Sequence, residues 1–381
     1  MNIIFLDCTQ NYSYQFSAAN TKIELLARGL TLVGNDCVIH NGIFGYKGIA
    51  EREEKDLNQI GKVISYPLPK YPNICLFRNL PALIKDLKAI ISPDEKNIMV
   101  LAAPYIHIYF LYMFIGKKYG YKIVTISHEW LPAIKRKYWI QNVLSYVYSK
   151  TFAWGIHAIL PISHYIWEKV KHFKKPMLLT PILADYPDST LSKEKENKFV
   201  YCVYVYYNRV ITMIIDSYKR YLSFSRNPYR LVLVLSGPET LIERIKKYIV
   251  GADLQGHIDI KSSLPYSELY YEYLTASALL IPLDPDSEQD NARFSQKIAE
   301  YLSTGTPVIS CKVGEIPYYF EDRKNMIFAD YTIEGFADSM LWVQNNVSEA
   351  RSIGNAGFQT GVKFFDYKLF GNKLHEFLQN I

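Results

Sequence analysis

The chain alternates between short apolar runs and longer segments with helical spacing over almost its whole length. Short apolar runs rich in β-branched residues predict buried strands, and the alternation favours parallel sheets covered by helices. The strands fall into two sets, which favours two doubly wound domains. The first set is predicted at Ile3–Leu6, Asp36–Asn41, Val63–Tyr66, Ile98–Ala102, Ile123–Ser127 and Ala158–Ile162. The second set is predicted at Phe199–Val205, Leu231–Leu235, His257–Ile260, Leu279–Leu283, Val308–Cys311 and Met326–Ala329.

A polar stretch from Asp185 to Lys198, which contains Pro187, is the best candidate for a linker between the two sets. We therefore predict a first domain over residues 1–184 and a second over residues 185–363, followed by a terminal helix over residues 364–381. A length of 381 residues and an apolar share of 49% suit two cores.

One segment has the length of a membrane span, because the 19 residues from Ile98 to Gly116 contain no Asp, Glu, Lys or Arg. We favour a strand that ends near Pro104, followed by a buried helix from Tyr105 to Ile115. The five cysteines are scattered without a Cys-x-x-Cys pair, which is typical of free thiols in a reducing compartment. The chain opens directly into a strand without a basic leader, so we expect a cytoplasmic protein.

The stretch Phe-Ser-Gln-Lys-Ile-Ala-Glu-Tyr-Leu-Ser-Thr-Gly-Thr-Pro-Val-Ile, which begins at Phe294, carries the strongest functional signal. Ser295 is placed to cap a helix running to Thr304, and Gly305 is placed to end that helix in a left-handed conformation. Lys297 and Glu300 are three residues apart and share one helical face. A cation and a carboxylate near a helix N-terminus suit a diphosphate and a ribose diol. An ordinary exposed ion pair is the alternative.

The stretch also resembles the donor-site signature of the GT-B glycosyltransferases, specifically the retaining GT4-like group. The resemblance implies two facing Rossmann-like domains, of which the second binds a nucleotide-sugar donor and the first binds the acceptor. It implies that Glu300 binds the ribose, and that Phe294, Ser295 and Lys297 belong to the donor site. It further implies that the last helix crosses back onto the first domain.

A segment that opens the second domain resembles the family's phosphate loop, with Arg209 as the cation that approaches the donor diphosphate. Val203 and Val210 stand where the family usually has glycine, which removes positions of close backbone approach. Gly237 matches a family glycine after the next strand. Ser262 stands near the usual glycine beside the nucleotide base.

An acidic residue commonly lies eight positions before the ribose-binding glutamate, but Ala292 occupies that position here, and Asn291 or Asp290 is a partial substitute. The nearby Asp284-Pro-Asp286 is similar to the metal-binding Asp-x-Asp of another glycosyltransferase fold. A solvated acidic loop is favoured instead, and we predict no metal. No cofactor is expected beyond the nucleotide-sugar co-substrate. Gly314 begins a segment that resembles the loop closing over the donor.

His128 follows a predicted strand at its carboxyl end, where open α/β sheets bind ligands. A lone histidine is usually structural. In the family, however, a histidine at the corresponding place contacts the donor sugar, so we assign His128 to the catalytic set with Arg209 and Lys297. The spacing does not fit a His-Glu-x-x-His zinc site, because Pro132 occupies the last position. In the first domain, Ser17, Asn20 and Thr21 are expected to cap a helix and face an acceptor.

Charge divides unevenly along the chain, since residues 1–180 hold 22 Lys and Arg against 12 Asp and Glu. The densest basic patch comprises Lys135, Arg136 and Lys137, flanked by Trp130 and Trp139. Cations beside aromatic residues suit an anionic membrane surface, while a solvated basic loop is an equal alternative. Single-stranded nucleic acid would also suit this composition, but we expect no nucleic-acid partner.

These observations predict a glycosyltransferase that moves a sugar from a nucleotide-diphosphate sugar to a hydroxyl of a glycan or lipid-linked glycan. By resemblance, the reaction retains the anomeric configuration and serves the synthesis of bacterial surface polysaccharide or another glycan. We expect a cytoplasmic protein, peripheral on the inner face of the plasma membrane if the basic patch binds lipid. A sugar-nucleotide epimerase of the same architecture and a catalytically silent scaffold are the alternatives.

Overall fold

The computed structural model describes residues 1–15, 17–68, 75–102, 105–134, 138–187 and 193–381. The chain forms two compact units. The first unit contains Met1–Asp185, Ala292–Gln296 and Phe365–Ile381, and the second contains Tyr186–Asn291 and Lys297–Phe364.

The first unit is built on a seven-stranded sheet with helices packed against it. Its strands are β1 (Asn2–Leu6), β2 (Asp36–His40), β3 (Glu53–Leu57), β4 (Gly61–Ser65), β5 (Asn97–Leu101), β6 (Lys122–Ser127) and β7 (Ala158–Pro161). Its helices are α1 (Ala18–Leu32), α2 (Cys75–Ile90), α3 (Ile106–Lys118), α4 (Trp139–Thr151), α5 (His164–Val170) and α14 (Tyr367–Gln379), with short 3-10 turns at Leu131–Ala133, Phe152–Gly155 and Lys171–Phe173. The strand order is β3-β4-β2-β1-β5-β6-β7.

The second unit has a six-stranded parallel sheet in the order β10-β9-β8-β11-β12-β13, whose bounds follow. The strands are β8 (Lys198–Tyr204), β9 (Arg230–Ser236), β10 (Ile258–Ser262), β11 (Ala278–Ile281), β12 (Val308–Ser310) and β13 (Ile327–Phe328). The helices are α6 (Asn208–Phe224), α7 (Glu239–Gly251), α8 (Tyr266–Thr275), α9 (Glu288–Ala292), α10 (Gln296–Leu302), α11 (Ile316–Tyr319), α12 (Ile333–Asn345) and α13 (Val347–Phe365).

All twelve predicted strands are confirmed to within a few residues, and among the described residues one further strand was missed. That strand, β3, has the sequence Glu-Glu-Lys-Asp-Leu and pairs antiparallel with β4 at the edge of the first sheet. Because an edge strand is half solvated and its charges discourage pairing with another chain, it needs no apolar run. The apolar pattern therefore could not reveal it.

The terminal helix α14 packs on α1 of the first unit through a close contact between two glycines. A Cβ added to Gly29 would lie 2.5 Å from the carbonyl oxygen of Tyr367, and one added to Gly371 would lie 2.4 Å from that of Gly29. Neither position accepts a larger residue without moving backbone. Arg28 on α1 also lies over the ring of Tyr367, 4.8 Å from its centroid.

The apolar segment after Ile98 forms β5 and α3, as the sequence predicted, with residues 103 and 104 outside the described part of the chain. Within the described residues, we find no helix with the length and apolar character needed to cross a membrane. The four cysteines whose side chains are described, Cys8, Cys37, Cys202 and Cys311, are free thiols.

Each sheet has one point where the strand order changes direction. In the first sheet this point lies between β1 and β5, and in the second it lies between β8 and β11. The loops that leave neighbouring strands at such a point run to opposite faces of the sheet and open a crevice at its carboxyl edge, where open α/β sheets bind ligands. The carboxyl ends of β8 and β11 are therefore the first place to look for a site in the second unit.

Candidate active site

Arg209 lies at the start of α6, just beyond the carboxyl end of β8. β8 ends at Tyr204 and α6 begins at Asn208, so Arg209 is the second residue of a 17-residue helix. Its side chain is exposed. The charge of Arg209 also acts on nearby Tyr331. Burial, followed by the charges of Asp284 and Asp290, raises the pKa of Tyr331, and the charge of Arg209 opposes that rise. Arg209 thus provides a cation at a helix N-terminus, where free N–H groups also favour an anion.

Gly237 holds the loop after β9 against the loop after β8. Its φ is +130°, and an added Cβ would lie 2.4 Å from Cγ2 of Val205 and 3.2 Å from the ring of Tyr204. A larger residue would push the two loops apart. Ser262 ends β10 at the same edge of the sheet and is exposed.

The two valines that replace family glycines lie in regular elements of the second unit. Val203 is buried inside β8, where it pairs with Leu235, and Val210 is the third residue of α6. The connecting loop itself consists of Val205, Tyr206 and Tyr207. The substitutions therefore change the flanks of this loop and leave its length unaffected.

Lys297 and Glu300 lie on α10, as predicted, but this helix is shorter than expected. It runs from Gln296 to Leu302, immediately after Ser295, and Gly305 adopts the predicted left-handed conformation with φ +65°. Helix Gln296–Leu302 has only seven residues, with Lys297 in its first turn.

Glu300 is a buried carboxyl whose pKa is raised toward neutral pH. Only 7% of the residue is exposed, and this burial raises its pKa from 4.5 to about 7, against the opposing charge of half-buried Lys297. An ionised carboxylate held by a single neighbouring cation is a strong acceptor for hydroxyl groups, because burial removes competing water.

An aromatic layer that the sequence did not indicate lies beside Glu300. Tyr301 and Tyr273 are both buried, with ring centroids 4.7 Å apart in an edge-to-face arrangement. The hydroxyl oxygen of Tyr301 accepts from the backbone N–H of Cys202 on β8, at 3.3 Å. The charges of Lys297 and Glu300 both act on the pKa of Cys202, which places the three side chains in the same part of the second unit. The tyrosines thus fix α10 against the end of β8, where Arg209 follows.

The acidic loop that follows β11 is held together by its own hydrogen bonds. Oδ2 of Asp290 accepts from the backbone N–H of Asp284 at 3.0 Å, and Oδ1 of Asp284 accepts from that of Asp286 at 2.9 Å. Nδ2 of Asn291 donates to the carbonyl oxygens of Pro285 and Ser287, at 2.8 and 3.0 Å. In the part of the chain that the structure describes, we find no group of three or more His, Cys, Asp or Glu residues placed to hold a metal ion.

Gly314 places the loop after β12 directly against this acidic loop. With φ +59°, it lies so close that an added Cβ would be 2.8 Å from the carbonyl oxygen of Asp290 and 3.2 Å from that of Asn291. The segment that resembles the closing loop therefore meets the carboxyl edge of the sheet at Asn291.

The segment Ala292–Gln296, which includes the first three residues of the signature, belongs to the first unit. The ring of Phe294 is buried and lies 5.5 Å from that of Phe365, and the Ala292 carbonyl oxygen accepts from Oγ of Ser163 at 2.6 Å. Since the Phe294 ring is occupied by this packing, any contact of Phe294 with a donor would come from its backbone. The sequence pattern predicted that the signature forms one helical site. It did not indicate that the signature is divided between the two units.

His128 follows β6 in the first unit, with Lys22 nearby. Nε2 of His128 is buried without a hydrogen-bond partner among the described residues. Burial, reinforced by the charge of Lys22, lowers the pKa of His128 to about 3, so the ring is neutral at ordinary pH. Lys22 is itself buried, and its Nζ donates to the carbonyl oxygen of Thr180 at 2.7 Å. The sequence gave no reason to select Lys22, because its burial depends on the position of α1.

The polar residues that we expected to face an acceptor form hydrogen bonds at the start of α1 and with the loop that precedes it. Oγ of Ser17 caps α1 as predicted, by accepting from the backbone N–H of Asn20. The amide of Asn20 bonds to backbone groups of Gln10 and Gln15, and Oγ1 of Thr21 donates to the Ser17 carbonyl oxygen. Trp130 and Trp139 are described, whereas Lys135, Arg136 and Lys137 lie outside the described residues.

Comparisons with known proteins agree with this architecture. Residues 184–360 match the family described as glycosyl transferases group 1. Sucrose-phosphate synthase from Thermosynechococcus elongatus has a similar structure, with a TM-score of 0.74 at 14% identity, covering 100% of this chain and 99% of that one. A Rickettsia africae glycosyltransferase gives 0.72 at 12% identity, covering 99% and 97%. Anabaena HepE in complex with UDP-glucose gives 0.70 at 11% identity, covering 100% and 99%. No curated protein matches the sequence.

The two Rossmann-like units, with strand orders that change direction at their centres, have the GT-B fold of these solved structures. Residues 184–360, which form most of the second unit, match the glycosyl transferases group 1 family, and this match indicates a glycosyltransferase.

Proposed function

We propose that this enzyme transfers a glycosyl unit from a nucleotide-diphosphate sugar to a hydroxyl acceptor, with retention of anomeric configuration. The observation that carries the proposal is the pair of Lys297 and Glu300 at the carboxyl edge of the second sheet. Glu300 is buried and has a pKa near neutrality, and the charge of Lys297 favours its ionised form. Such a carboxylate suits the two hydroxyls of a ribose, and the lysine suits a diphosphate.

The charged side chains beyond the end of β8 and on α10 have separate roles in binding and catalysis. Glu300 anchors the ribose, while Lys297 and Arg209 neutralise the diphosphate as the bond to the sugar breaks. Preorganised charges of this kind act on charge that develops in the transition state, which is usually the largest catalytic contribution. We assign no protein nucleophile.

The remaining donor contacts are assigned to the loops at the same edge. Gly237 and Ser262 follow β9 and β10, and we place them beside the nucleotide. Asn291 approaches through the loop that packs against Gly314, and Phe294 and Ser295 approach through backbone groups.

His128 is proposed to contact the donor sugar as a neutral hydrogen-bonding group. Its buried Nε2 has no partner among the described residues, and its lowered pKa excludes a cationic role at ordinary pH. A neutral imidazole can position a sugar hydroxyl without attracting the diphosphate away from Lys297 and Arg209.

We further propose that the acceptor is a glycan or a lipid-linked glycan, used in surface polysaccharide or related glycan synthesis in the cytoplasm. The basic patch Lys135–Lys137 with Trp130 and Trp139 is the sequence feature that supports this choice. The reaction would then take place at the inner face of the plasma membrane, with the protein bound peripherally.

A donor panel tests the proposed function. The full-length protein is incubated with UDP-, GDP- and ADP-sugars in the absence of an acceptor, and the nucleotide released is measured. The expected result is slow hydrolysis of one donor, lost in Glu300→Gln but kept in Glu349→Gln, a control at an exposed position in the first turn of α13. Release of none of the nucleotides, with no binding by calorimetry, would contradict the proposal and favour a silent scaffold. A changed sugar configuration without nucleotide release would favour an epimerase.

A further inference from the structure

Helix α4 presents its apolar side chains outward and buries its small polar ones. Trp139 is 75% exposed, and Ile140, Val143, Leu144, Tyr146 and Val147 are all exposed as well. The buried residues of this helix are Ser145 and Ser149. An ordinary surface helix of a folded domain has the opposite arrangement, with its apolar stripe against the core.

The six exposed apolar residues form one face rather than a scatter. At 3.6 residues per turn, they fall within about half of the helix circumference. The two serines lie on the opposite side, four residues apart. We call the face formed by Trp139, Ile140, Val143, Leu144, Tyr146 and Val147 the outer face of α4.

Ring contacts of Tyr148 hold the buried side of α4, and its two buried serines are hydrogen-bonded within the helix. Oγ of Ser145 donates to the carbonyl oxygen of Gln141 at 2.8 Å, and Oγ of Ser149 donates to that of Tyr146 at 2.7 Å. Both buried hydroxyls are therefore satisfied within the helix. The ring of Tyr148 packs edge-to-face on Tyr109 of α3, with centroids 5.2 Å apart, and stacks on Phe152 at 5.3 Å.

Elements that neighbour α4 also expose large aromatic side chains. Phe114 on α3 and Trp154 after α4 are each 74% exposed. A Cβ added to Gly155 would lie 2.3 Å from Sδ of Met113 and 3.3 Å from Nζ of Lys117, so Trp154 lies beside the end of α3 that carries Phe114 and Lys117. Large exposed apolar areas of this kind mark sites of association.

The positive charge of the sequence around α4 indicates which kind of partner binds the outer face. Between Trp130 and Trp167 the sequence contains four Lys or Arg residues and no Asp or Glu. A second copy of this chain, docked through the same face, would bring like charges together, because a twofold interface pairs each patch with itself. An anionic lipid surface instead attracts the cations and accepts Trp, Tyr and aliphatic side chains at the headgroup boundary.

We propose that the outer face of α4 inserts into the headgroup layer of an anionic membrane and holds the first unit at the lipid surface. This inference deepens the proposed function, on which its link to a lipid-linked acceptor rests. The insertion itself depends only on the helix. It assigns the membrane contact mainly to Ile140, Val143, Leu144 and Val147, which the basic patch alone did not indicate.

The test compares two triple variants of the full-length protein in sedimentation with vesicles. Val143→Asn/Leu144→Gln/Val147→Asn removes three side chains of the outer face. Val250→Asn/Leu369→Gln/Val347→Asn makes the same three kinds of change at exposed positions on other helices. Because all six positions are exposed, both variants are expected to fold, which circular dichroism and the melting temperature verify.

Wild type and the control variant should pellet with phosphatidylglycerol-containing vesicles, and the outer-face variant should lose at least tenfold in partitioning. Binding should weaken as salt rises, because exposed charges are screened over about 8 Å at physiological ionic strength. Failure of the wild type to pellet at low salt, or equal pelleting of both triple variants, would overturn the proposal. Dimerisation of the wild type that the outer-face variant abolishes, without vesicle binding, would assign the face to a second copy instead.

Donor hydrolysis without vesicles, measured on the same preparations, separates this inference from the proposed function. The outer-face variant should hydrolyse the donor at the wild-type rate. Vesicle binding without any donor hydrolysis would leave the membrane inference standing and contradict the transferase. Hydrolysis without vesicle binding would do the reverse.

Discussion

The Glu300 carboxyl and the ring nitrogen Nε2 of His128 are both buried near the carboxyl edges of their sheets, and burial favours the neutral form of each group. Their nearest charges differ. Lys297 opposes the effect of burial on Glu300, so the pKa of this carboxyl reaches only about 7, whereas Lys22 reinforces burial at His128 and lowers its pKa to about 3. The second unit thus keeps a group that can be charged near neutral pH, and the first keeps one that is neutral at ordinary pH. A carboxylate suits the ribose hydroxyls of a nucleotide at the former, and a neutral imidazole suits sugar hydroxyls at the latter.

The largest effect is expected from the two cations of the second unit. Lys297→Ala and Arg209→Ala should each lower turnover about 10²–10³-fold, because each removes a preorganised charge from the departing diphosphate. Steady-state kinetics with the donor identified by the panel measures this loss. Lys247→Ala, at an exposed position on α7, is the matched control and should retain full activity. Wild-type rates in both site variants would require the diphosphate to bind elsewhere.

Removing the carboxyl of Glu300 should weaken donor binding to a similar or smaller extent. Glu300→Ala leaves ribose hydroxyls without a charged acceptor, a loss of about 1.5–3 kcal/mol, or roughly 10- to 150-fold in affinity. Isothermal titration calorimetry with the nucleotide sugar measures it. A correctly folded variant with unchanged affinity would exclude Glu300 from the ribose site.

The raised pKa of Glu300 also predicts a pH-dependent gain in stability on its removal. Its pKa is about 7 in the folded protein and 4.5 in the unfolded chain, so the folded state binds this proton more tightly. The free energy of unfolding therefore falls as pH rises from the lower value to the higher one and then levels off. At about 1.4 kcal/mol per pKa unit, the cost above pH 7 is on the order of 3 kcal/mol.

Glu300→Gln should remove this cost. Relative to wild type, the variant should become more stable between pH 5 and pH 8, as measured by denaturant unfolding at several pH values. Glu349→Gln should follow the wild-type curve. Parallel curves for Glu300→Gln and wild type would mean that the carboxyl is not desolvated.

The smallest effect is expected at His128. His128→Asn should lower kcat/KM by up to about tenfold, the value of one neutral hydrogen bond. Because the wild-type ring is neutral above pH 4, the substitution should leave the shape of the pH profile between about pH 5 and pH 8 unchanged. An inflection in that range, present in wild type and lost in the variant, would show that His128 titrates there and would contradict its assignment.

The repeating pattern of apolar runs predicted twelve strands correctly because most of those strands are largely buried, although the edge strand β10 is only partly so. It missed β3, whose charged residues follow from its place at the sheet edge. It also placed Gly305 at the end of a helix that proved shorter than expected. These outcomes depend on local sequence, which carries most of the information on strands and turns.

Other features depend on tertiary packing and could not be read from the sequence. The pattern of α4 is the same whether its apolar face points inward or outward, so only the structure reveals that Ser145 and Ser149 are buried. The burial of Glu300 and the packing of Phe294 on Phe365 likewise depend on residues distant in the chain. The roles of the site residues in donor binding and catalysis remain predictions.

The central claim is that Glu300, balanced by Lys297, binds the ribose of a nucleotide-sugar donor as a carboxylate. Calorimetric titration of the donor into wild type and Glu300→Gln across pH 6 to pH 8 tests it most directly, because a sugar nucleotide, esterified at both ends of its diphosphate, does not itself titrate in this range. The account predicts that wild-type affinity rises through about pH 7, with proton release on binding below that pH. Glu300→Gln should bind more weakly and with a flat profile. Equal affinity and equal pH dependence in the two proteins would contradict the account.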